Sequence, residues 1–135
     1  MKTAFEPIYL DSSALVKLVA AEAETDALGR FLKVRPLQLS CIIARVEVLR
    51  AAYTRDAVTV AQARHLLRGL ILLQLDEQTL EVAAELKPVT LCSLDAIHIA
   101  AALEAEITDL ITYDRRMAAA AESLGLRVLA PGAEL

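Results

Sequence analysis

The chain has 135 residues, 56% of them hydrophobic, with only 4 Gly and 4 Pro. This composition excludes a disordered protein and predicts one packed domain that spans residues 1–135. The longest apolar runs fall far short of the roughly 20 residues that cross a bilayer, and the N-terminus lacks the ordered regions of a signal peptide. We therefore expect a cytoplasmic protein with no membrane segment.

The formal net charge of −4 argues against a nucleic-acid binder, because phosphate contacts usually come from a basic surface. The objection weakens if several acids share one pocket with a divalent metal and the basic residues gather nearby. Cys41 and Cys92 are isolated within apolar stretches and lack the paired spacing of a zinc site. We expect both to be small buried hydrophobes.

Short apolar strands alternate with helical segments along the chain. Residues 8–10 form the first predicted strand, and Asp11-Ser12-Ser13 begins the helix that follows. The next predicted elements are a helix over 25–33, a strand over 37–42, helices over 44–54 and 60–70, and a buried strand over 71–75. Then come a helix over 76–86, a helix with Ser93 as its N-cap, a strand over 110–112, a helix from 115 that ends at Gly125, and a strand over 127–129.

This alternation predicts an α/β domain with a mainly parallel sheet of four to five strands and helices on both faces. Ligands of such sheets bind beyond the carboxyl ends of the strands. Asp11 directly follows the first strand and Asp114 lies two residues beyond the predicted fourth strand. We expect both carboxylates to face one cleft.

Four acids are candidates for that cleft, although each has an ordinary structural alternative. Asp11 and Asp95 suit a helix cap or first turn, and Glu47 suits an ion pair with Arg50. Taken together with Asp114 they would repel one another unless a divalent cation held them, and carboxylate oxygens suit Mg²⁺ or Mn²⁺. One metal or two could activate water for phosphodiester hydrolysis.

Four segments resemble the signatures of PIN-domain nucleases: residues 8–18, 44–51, 94–100 and 112–117. Their order and spacing are also similar. In that family four acids chelate Mg²⁺ or Mn²⁺ and RNA is cut by activated water. The resemblance implies a PIN-like fold and assigns those catalytic and metal-binding roles to Asp11, Glu47, Asp95 and Asp114.

The resemblance covers nearly the whole chain, and the short length is similar to the VapC toxins of bacterial toxin–antitoxin pairs. It implies an endoribonuclease toxin with an RNA substrate, a cognate antitoxin partner and a homodimeric state. The family's accessory hydroxyls correspond to Ser13 and Thr112, which would steady the carboxylates. For Ser13 the alternative is a helix cap.

Three further residues within these motifs are polar and carry a candidate role. Arg115 and Arg116 follow Asp114 directly, and either contact substrate phosphates or form a solvated helix start. His98 stands three positions after Asp95, and we interpret it as packing or as support for the site rather than as a metal ligand.

Other functions are weaker. A haloacid-dehalogenase phosphatase needs a second Asp two positions after the first, where this chain has Ser13, and the glycines form no phosphate-binding loop. A catalytically silent PIN-like module that binds RNA or protein stays open, since fold alone does not fix function. The sequence also leaves open whether the substrate is RNA or DNA.

Overall fold

Five short strands lie side by side in one parallel sheet. The computed structural model describes residues 5–135, with strands β1 (Ile8–Leu10), β2 (Gln38–Cys41), β3 (Ile71–Leu73), β4 (Asp109–Ile111) and β5 (Arg127–Leu129). Their order across the sheet is β3-β2-β1-β4-β5, and every pairing is parallel. The predicted fold class is confirmed.

Seven helices connect the strands within the described residues. They are α1 (Ser12–Lys17), α2 (Thr25–Lys33), α3 (Ala44–Tyr53), α4 (Ala57–Arg68), α5 (Glu77–Glu85), α6 (Ser93–Glu104) and α7 (Arg115–Ser123). Gly125 follows α7 with φ of 92°, so the predicted left-handed end of that helix is confirmed. No helix in residues 5–135 is long and apolar enough to cross a membrane.

Helices cover both faces of the sheet. Because side chains alternate along a strand, neighbouring residues of β1 pack against helices on opposite faces. Ile8 and Leu10 of β1 pack in one cluster with buried residues of α1, α2, α3 and α4. Tyr9, between them, packs in a second cluster with buried residues of α6 and α7. The central strand β1 is therefore buried on both sides and holds the loop that follows it in a fixed position.

Three local predictions are wrong. The strand at 71–75 was expected to be buried, but β3 is an edge strand and Ile71 is 48% exposed. Cys92 is exposed while Cys41 is buried, because Cys92 lies in the loop before α6. Cys92 also occupies the N-cap position predicted for Ser93, and this helix has no side-chain cap.

Candidate active site

Two of the predicted acids lie where the central strands end. Asp11 follows β1 directly and is the N-cap of α1, while Asp114 lies three residues beyond β4 and is the N-cap of α7. The Asp11 amide donates to the Ile111 carbonyl at 3.2 Å, which ties the two strand ends together. Both carboxylates cap their helices through Oδ1, which accepts from Ala14 N at 3.0 Å and from Met117 N at 2.9 Å, respectively.

The Asp11 carboxylate is buried and surrounded by donors. Ser13 Oγ donates to Oδ1 at 2.7 Å, and Thr112 Oγ1 donates to Oδ2 at 2.6 Å. Burial raises the pKa of Asp11 above its ordinary value, and the hydrogen bonds from Thr112 and Ser13 oppose that rise. Both hydroxyls thus contact the carboxylate that they were expected to steady, and the cap is Asp11 itself rather than Ser13.

The same two hydroxyls join the turn after β1 to the turn after β4. Ser13 Oγ accepts from the Tyr113 amide at 3.0 Å, and Thr112 Oγ1 accepts from the Asp114 amide at 3.1 Å. Thr112 is fully buried, so its hydroxyl is shielded from water, whereas Ser13 also lines the cleft. The two acid-bearing turns are therefore held as one unit.

Glu47 lies in the first turn of α3 and is held through one oxygen. Its Oε1 accepts from Ser12 Oγ at 2.5 Å and from His98 Nε2 at 2.7 Å. Burial would raise the pKa of Glu47, but the hydrogen bonds from His98 and Ser12 outweigh it and lower that pKa. Across residues 5–135 the ion-pair partner of Glu47 is His98 and not Arg50, the alternative weighed from the sequence.

His98 is 1% exposed and contacts a partner at each ring nitrogen. Tyr9 Oη lies 2.7 Å from Nδ1, and Cys41 Sγ lies 3.7 Å from the same atom. Burial would lower the pKa of His98, but its hydrogen bonds with Cys41 and Glu47 raise that pKa to about 10. His98 therefore supports a carboxylate, which is the interpretation given to it from the sequence.

The pKa of Asp95 is affected by the charges of the other three acids. It lies in the first turn of α6 and is half-buried. Burial raises its pKa, and the negative charges of Asp114, Asp11 and Glu47 raise it further, while His98 opposes them. The other three predicted acids therefore lie near enough to Asp95 for their charges to affect it.

An open cleft of about 490 Å³ lies at this edge. Its lining includes Glu47 and Asp114 together with Ser12, Ser13 and Lys17. Asp11 and Asp95 are absent from the lining, and Asp11 lies behind Ser13, which hydrogen-bonds to it. The cleft thus exposes two of the four acids directly.

Lys17 is a positively charged residue in the lining of this cleft, and it forms ion pairs with two acids. Its Nζ lies 2.6 Å from Glu22 and 2.8 Å from Glu24, and 4.6 Å from the centre of the Tyr113 ring. Burial would lower the pKa of Lys17, but the hydrogen bonds to Glu22 and Glu24 raise it. Lys17 is therefore held against acids at the rim.

The two arginines predicted to contact substrate are both exposed in the first turn of α7. Arg116 lines a separate cavity of about 410 Å³ together with Pro88 and Leu91, not the cleft of Glu47 and Asp114. The structure therefore does not place Arg116 in the cleft that Glu47 and Asp114 line.

The four acids suit a hard cation by their chemistry but are not gathered around one point. Throughout the described chain, no three His, Cys, Asp or Glu side chains are grouped so that they could hold a metal ion. Carboxylate oxygens are nevertheless the donors that Mg²⁺ and Mn²⁺ prefer. Burial and the neighbouring carboxylates raise the pKa of Asp95, and a cation would relieve the repulsion between these charges. The donor set fits a divalent cation, provided that the side chains draw together.

Ser12 and Tyr9 are contacts that the sequence reasoning did not assign. A lone Tyr inside a fully buried strand is a usable signal, because a buried phenol needs a hydrogen-bond partner. Ser12 had no such signal, since it lies between two residues that already suited a helix start.

Comparison with known proteins finds a family that covers most of the chain. The PIN domain family model matches residues 8–123. Ribonuclease VapC46 of Mycobacterium tuberculosis is 45% identical over 126 residues, which cover 92% of this chain and 97% of that protein. Ribonuclease VapC47 of the same species is 40% identical over 134 residues, covering 93% of this chain and 98% of that protein.

A solved structure has the same fold. The crystal structure of Mycobacterium tuberculosis VapC20, described as a Sarcin-Ricin loop cleaving toxin, superposes with a TM-score of 0.73 and covers 92% of this chain and 99% of that chain. Its sequence identity is 17%, so this likeness concerns the fold alone.

Proposed function

Because the chain belongs to the PIN domain family, we propose that it is a metal-dependent endoribonuclease, the toxin of a bacterial toxin–antitoxin pair. The observation that carries the proposal is that Asp11 and Asp114 follow the central strands at the carboxyl edge of the sheet, where their charges and that of Glu47 act on Asp95. Support also comes from relatives named ribonucleases, which are 38 to 45% identical over nearly the whole chain.

The proposed metal ligands are Asp11, Glu47, Asp95 and Asp114, with Mg²⁺ as the cation and Mn²⁺ as a possible substitute. Such a cation, when bound, generates a water nucleophile near neutral pH and stabilises charge on the phosphate. The hydrogen bonds of Glu47 use Oε1 and the cap of Asp114 uses Oδ1. The second oxygens of these two residues, Glu47 Oε2 and Asp114 Oδ2, have no donor among residues 5–135 and are free to bind a cation.

The residues around the acids have distinct proposed tasks. Ser13 and Thr112 fix Asp11, so that its buried carboxylate stays oriented while the cleft fills with substrate. Arg115 and Arg116 bind RNA phosphates at the outer rim, since both are exposed next to Asp114. Arg116 then contacts a part of the strand outside the carboxylate cleft.

The remaining assignments follow from the same premise. The proposed partners are an RNA substrate, a cognate antitoxin and a second copy of this chain, and the proposed location is the cytoplasm. The PIN domain is proposed to extend over residues 1–135, of which residues 8–123 match the family model.

Cleavage of total cellular RNA by the purified protein, with Mg²⁺ or EDTA, tests the proposal, and the cut positions are read by end mapping. Asp95→Asn should lower the rate by about 100-fold or more, since a metal ligand contributes several kcal/mol to the transition state. The matched control is Asp26→Asn, because Asp26 is also an acid in a helix's first turn but lies on α2. Wild type and control should cut RNA, and EDTA should stop both.

One result would replace the proposal with a silent binding module. If wild type and Asp95→Asn bind RNA equally and both leave it intact in Mg²⁺, the four acids are not a catalytic site. DNA supplied in parallel decides the substrate, because cutting of DNA alone contradicts the ribonuclease assignment.

A further inference from the structure

Three hydrogen-bonded side chains, those of Tyr9, His98 and Glu47, form a series that leads from the interior to the cleft. Tyr9 Oη lies 2.7 Å from His98 Nδ1, and His98 Nε2 lies 2.7 Å from Glu47 Oε1. The two rings also meet edge to face, with their centroids 5.7 Å apart. The series thus links β1, α6 and α3, three elements whose sequence positions are far apart.

Two members of this series are inaccessible to substrate. Tyr9 is 0% and His98 is 1% exposed, so neither can touch RNA or a cation in the cleft. A residue needed only to fill this space would not need two ring nitrogens, each of which requires a partner when buried. The imidazole places one of those partners on a carboxylate that lines the cleft.

Glu47, the last of the three side chains, fixes the direction of the hydrogen bonds. A carboxylate only accepts, so His98 Nε2 carries its hydrogen in both the neutral and the cationic ring. Tyr9 and Cys41 occupy the opposite edge of the ring at Nδ1 and prevent it from turning over. His98 therefore always presents an N–H to one carboxylate oxygen of Glu47, which is Oε1 in this structure.

We propose that His98, backed by Tyr9, is a positioning residue that fixes Glu47 through Oε1, so that Oε2 is the oxygen offered to the divalent cation. The proposal rests on the proposed function, since it assumes that Glu47 is a ligand. Hydrogen-bonded supports of metal ligands typically change metal affinity by about 10–100-fold when removed.

Two substitutions separate positioning from packing. In His98→Gln the side-chain amide reaches the place of Nε2, so the donor to Glu47 is kept and the contact with Tyr9 is lost. In His98→Asn the amide reaches the place of Nδ1, so the contact with Tyr9 is kept and the hydrogen bond from residue 98 to Glu47 is lost, which leaves Ser12 as the donor to Oε1. Each variant removes the contacts of one ring nitrogen, those of Nδ1 with Tyr9 and Cys41 or those of Nε2 with Glu47 and Ser12, which makes the two variants matched controls for stability.

The first readout is calorimetric titration of Mn²⁺ into each protein without RNA, and the second is the Mg²⁺ concentration that gives half-maximal cleavage. His98→Asn should weaken Mn²⁺ binding by about 10–100-fold and raise the Mg²⁺ requirement to match. His98→Gln should stay much closer to wild type in both readouts. Tyr9→Phe, which retains the Glu47 donor, should show a smaller loss than His98→Asn.

Equal losses in His98→Gln and His98→Asn, or no loss in either, would overturn the positioning role, and wild type would still cut RNA in Mg²⁺. A wild type that neither binds Mn²⁺ nor cuts RNA overturns the proposed function, and the positioning role with it. Thermal unfolding in EDTA must give similar midpoints for the two His98 variants, since a fold defect in His98→Asn alone would also contradict a specific effect on Glu47.

Discussion

Asp95 carries a stability cost that its proposed role would explain. Burial raises its pKa, and three neighbouring carboxylates raise it further, so its charge is unfavourable in the metal-free fold. We expect Asp95→Asn to raise the free energy of unfolding in EDTA by about 0.5–2 kcal/mol, as is common when function costs stability. Urea denaturation would show this as a higher midpoint with an unchanged slope.

The same measurement on Asp26→Asn is the control, because that acid lies in a first helical turn without the other three. It should leave stability unchanged or lower it slightly. If Asp95→Asn destabilises the metal-free protein as well, the repulsion inferred from its neighbours is absent.

Thr112 is expected to matter more for activity than for folding. Thr112→Val keeps the side-chain shape but removes the 2.6 Å bond to Asp11 and the 3.1 Å bond from the Asp114 amide. Loss of a buried partner should cost about 1–3 kcal/mol. It should also slow RNA cleavage by about 10–100-fold, because the freed carboxylate is a proposed ligand.

Thr79→Val controls for the loss of a buried hydroxyl, since Thr79 donates to Asp76 at 2.9 Å far from the cleft. The control should lose stability and keep its cleavage rate. Equal activity in the two valine variants would contradict a role for Thr112 at the site.

The sequence predicts where a residue lies when the local strand and helix pattern determines its place. It does not predict which distant residue a side chain contacts. Asp11 and Asp114 follow buried strands, so the strand pattern alone places them at one edge. The partner of Glu47 was not predictable in this way, because His98 lies 51 residues further along the chain. From spacing alone Arg50 was an equally reasonable partner for Glu47.

At the scale of elements, the helix caps allow stability and activity to be separated. Asp56 caps α4 by accepting from Thr59 N and Thr59 Oγ1, both at 2.7 Å. Asp114 caps α7 through Met117 N at 2.9 Å. Replacement of either acid by Ala should cost about 0.5–2 kcal/mol of unfolding free energy.

Only one of these two caps lies at the proposed site. Asp56→Ala should cut RNA at the wild-type rate, and Asp114→Ala should lose cleavage. Urea denaturation and an initial-rate assay on the same preparations check both statements. An active Asp114→Ala protein would reduce that residue to a cap.

Helix caps also explain where element boundaries were and were not predictable. The helix predicted to begin at residue 60 begins at Ala57, because Asp56 and not the first apolar repeat sets its start. The edge position of β3 was hidden, since an apolar run of a few residues looks the same at the centre and at the edge of a sheet.

At the scale of the molecule, the net charge of −4 would repel RNA, so the proposed substrate needs a local group of basic side chains to bind. Lys17 is neutralised by two acids, and Arg35 pairs with buried Asp109 at 3.1 Å. Other basic side chains do gather: Arg45, Arg64 and Arg68 line a cavity of about 260 Å³ with Leu67. All three arginines are exposed, and Arg45 shares the first turn of α3 with Glu47.

If RNA phosphates occupy this arginine cavity, the double variant Arg64→Gln, Arg68→Gln should raise KM and leave kcat unchanged. Each lost phosphate contact should also reduce the slope of log affinity against log salt by about 0.7 for single-stranded RNA, hence about 1.4 for two. Filter binding at several salt concentrations measures the slope. The control is Arg30→Gln, Lys33→Gln, because it removes the same charge from α2, away from this cavity. Equal slopes in the two double variants would mean that the effect is one of overall charge, and the acidic balance of the chain would then argue against RNA binding at α3 and α4.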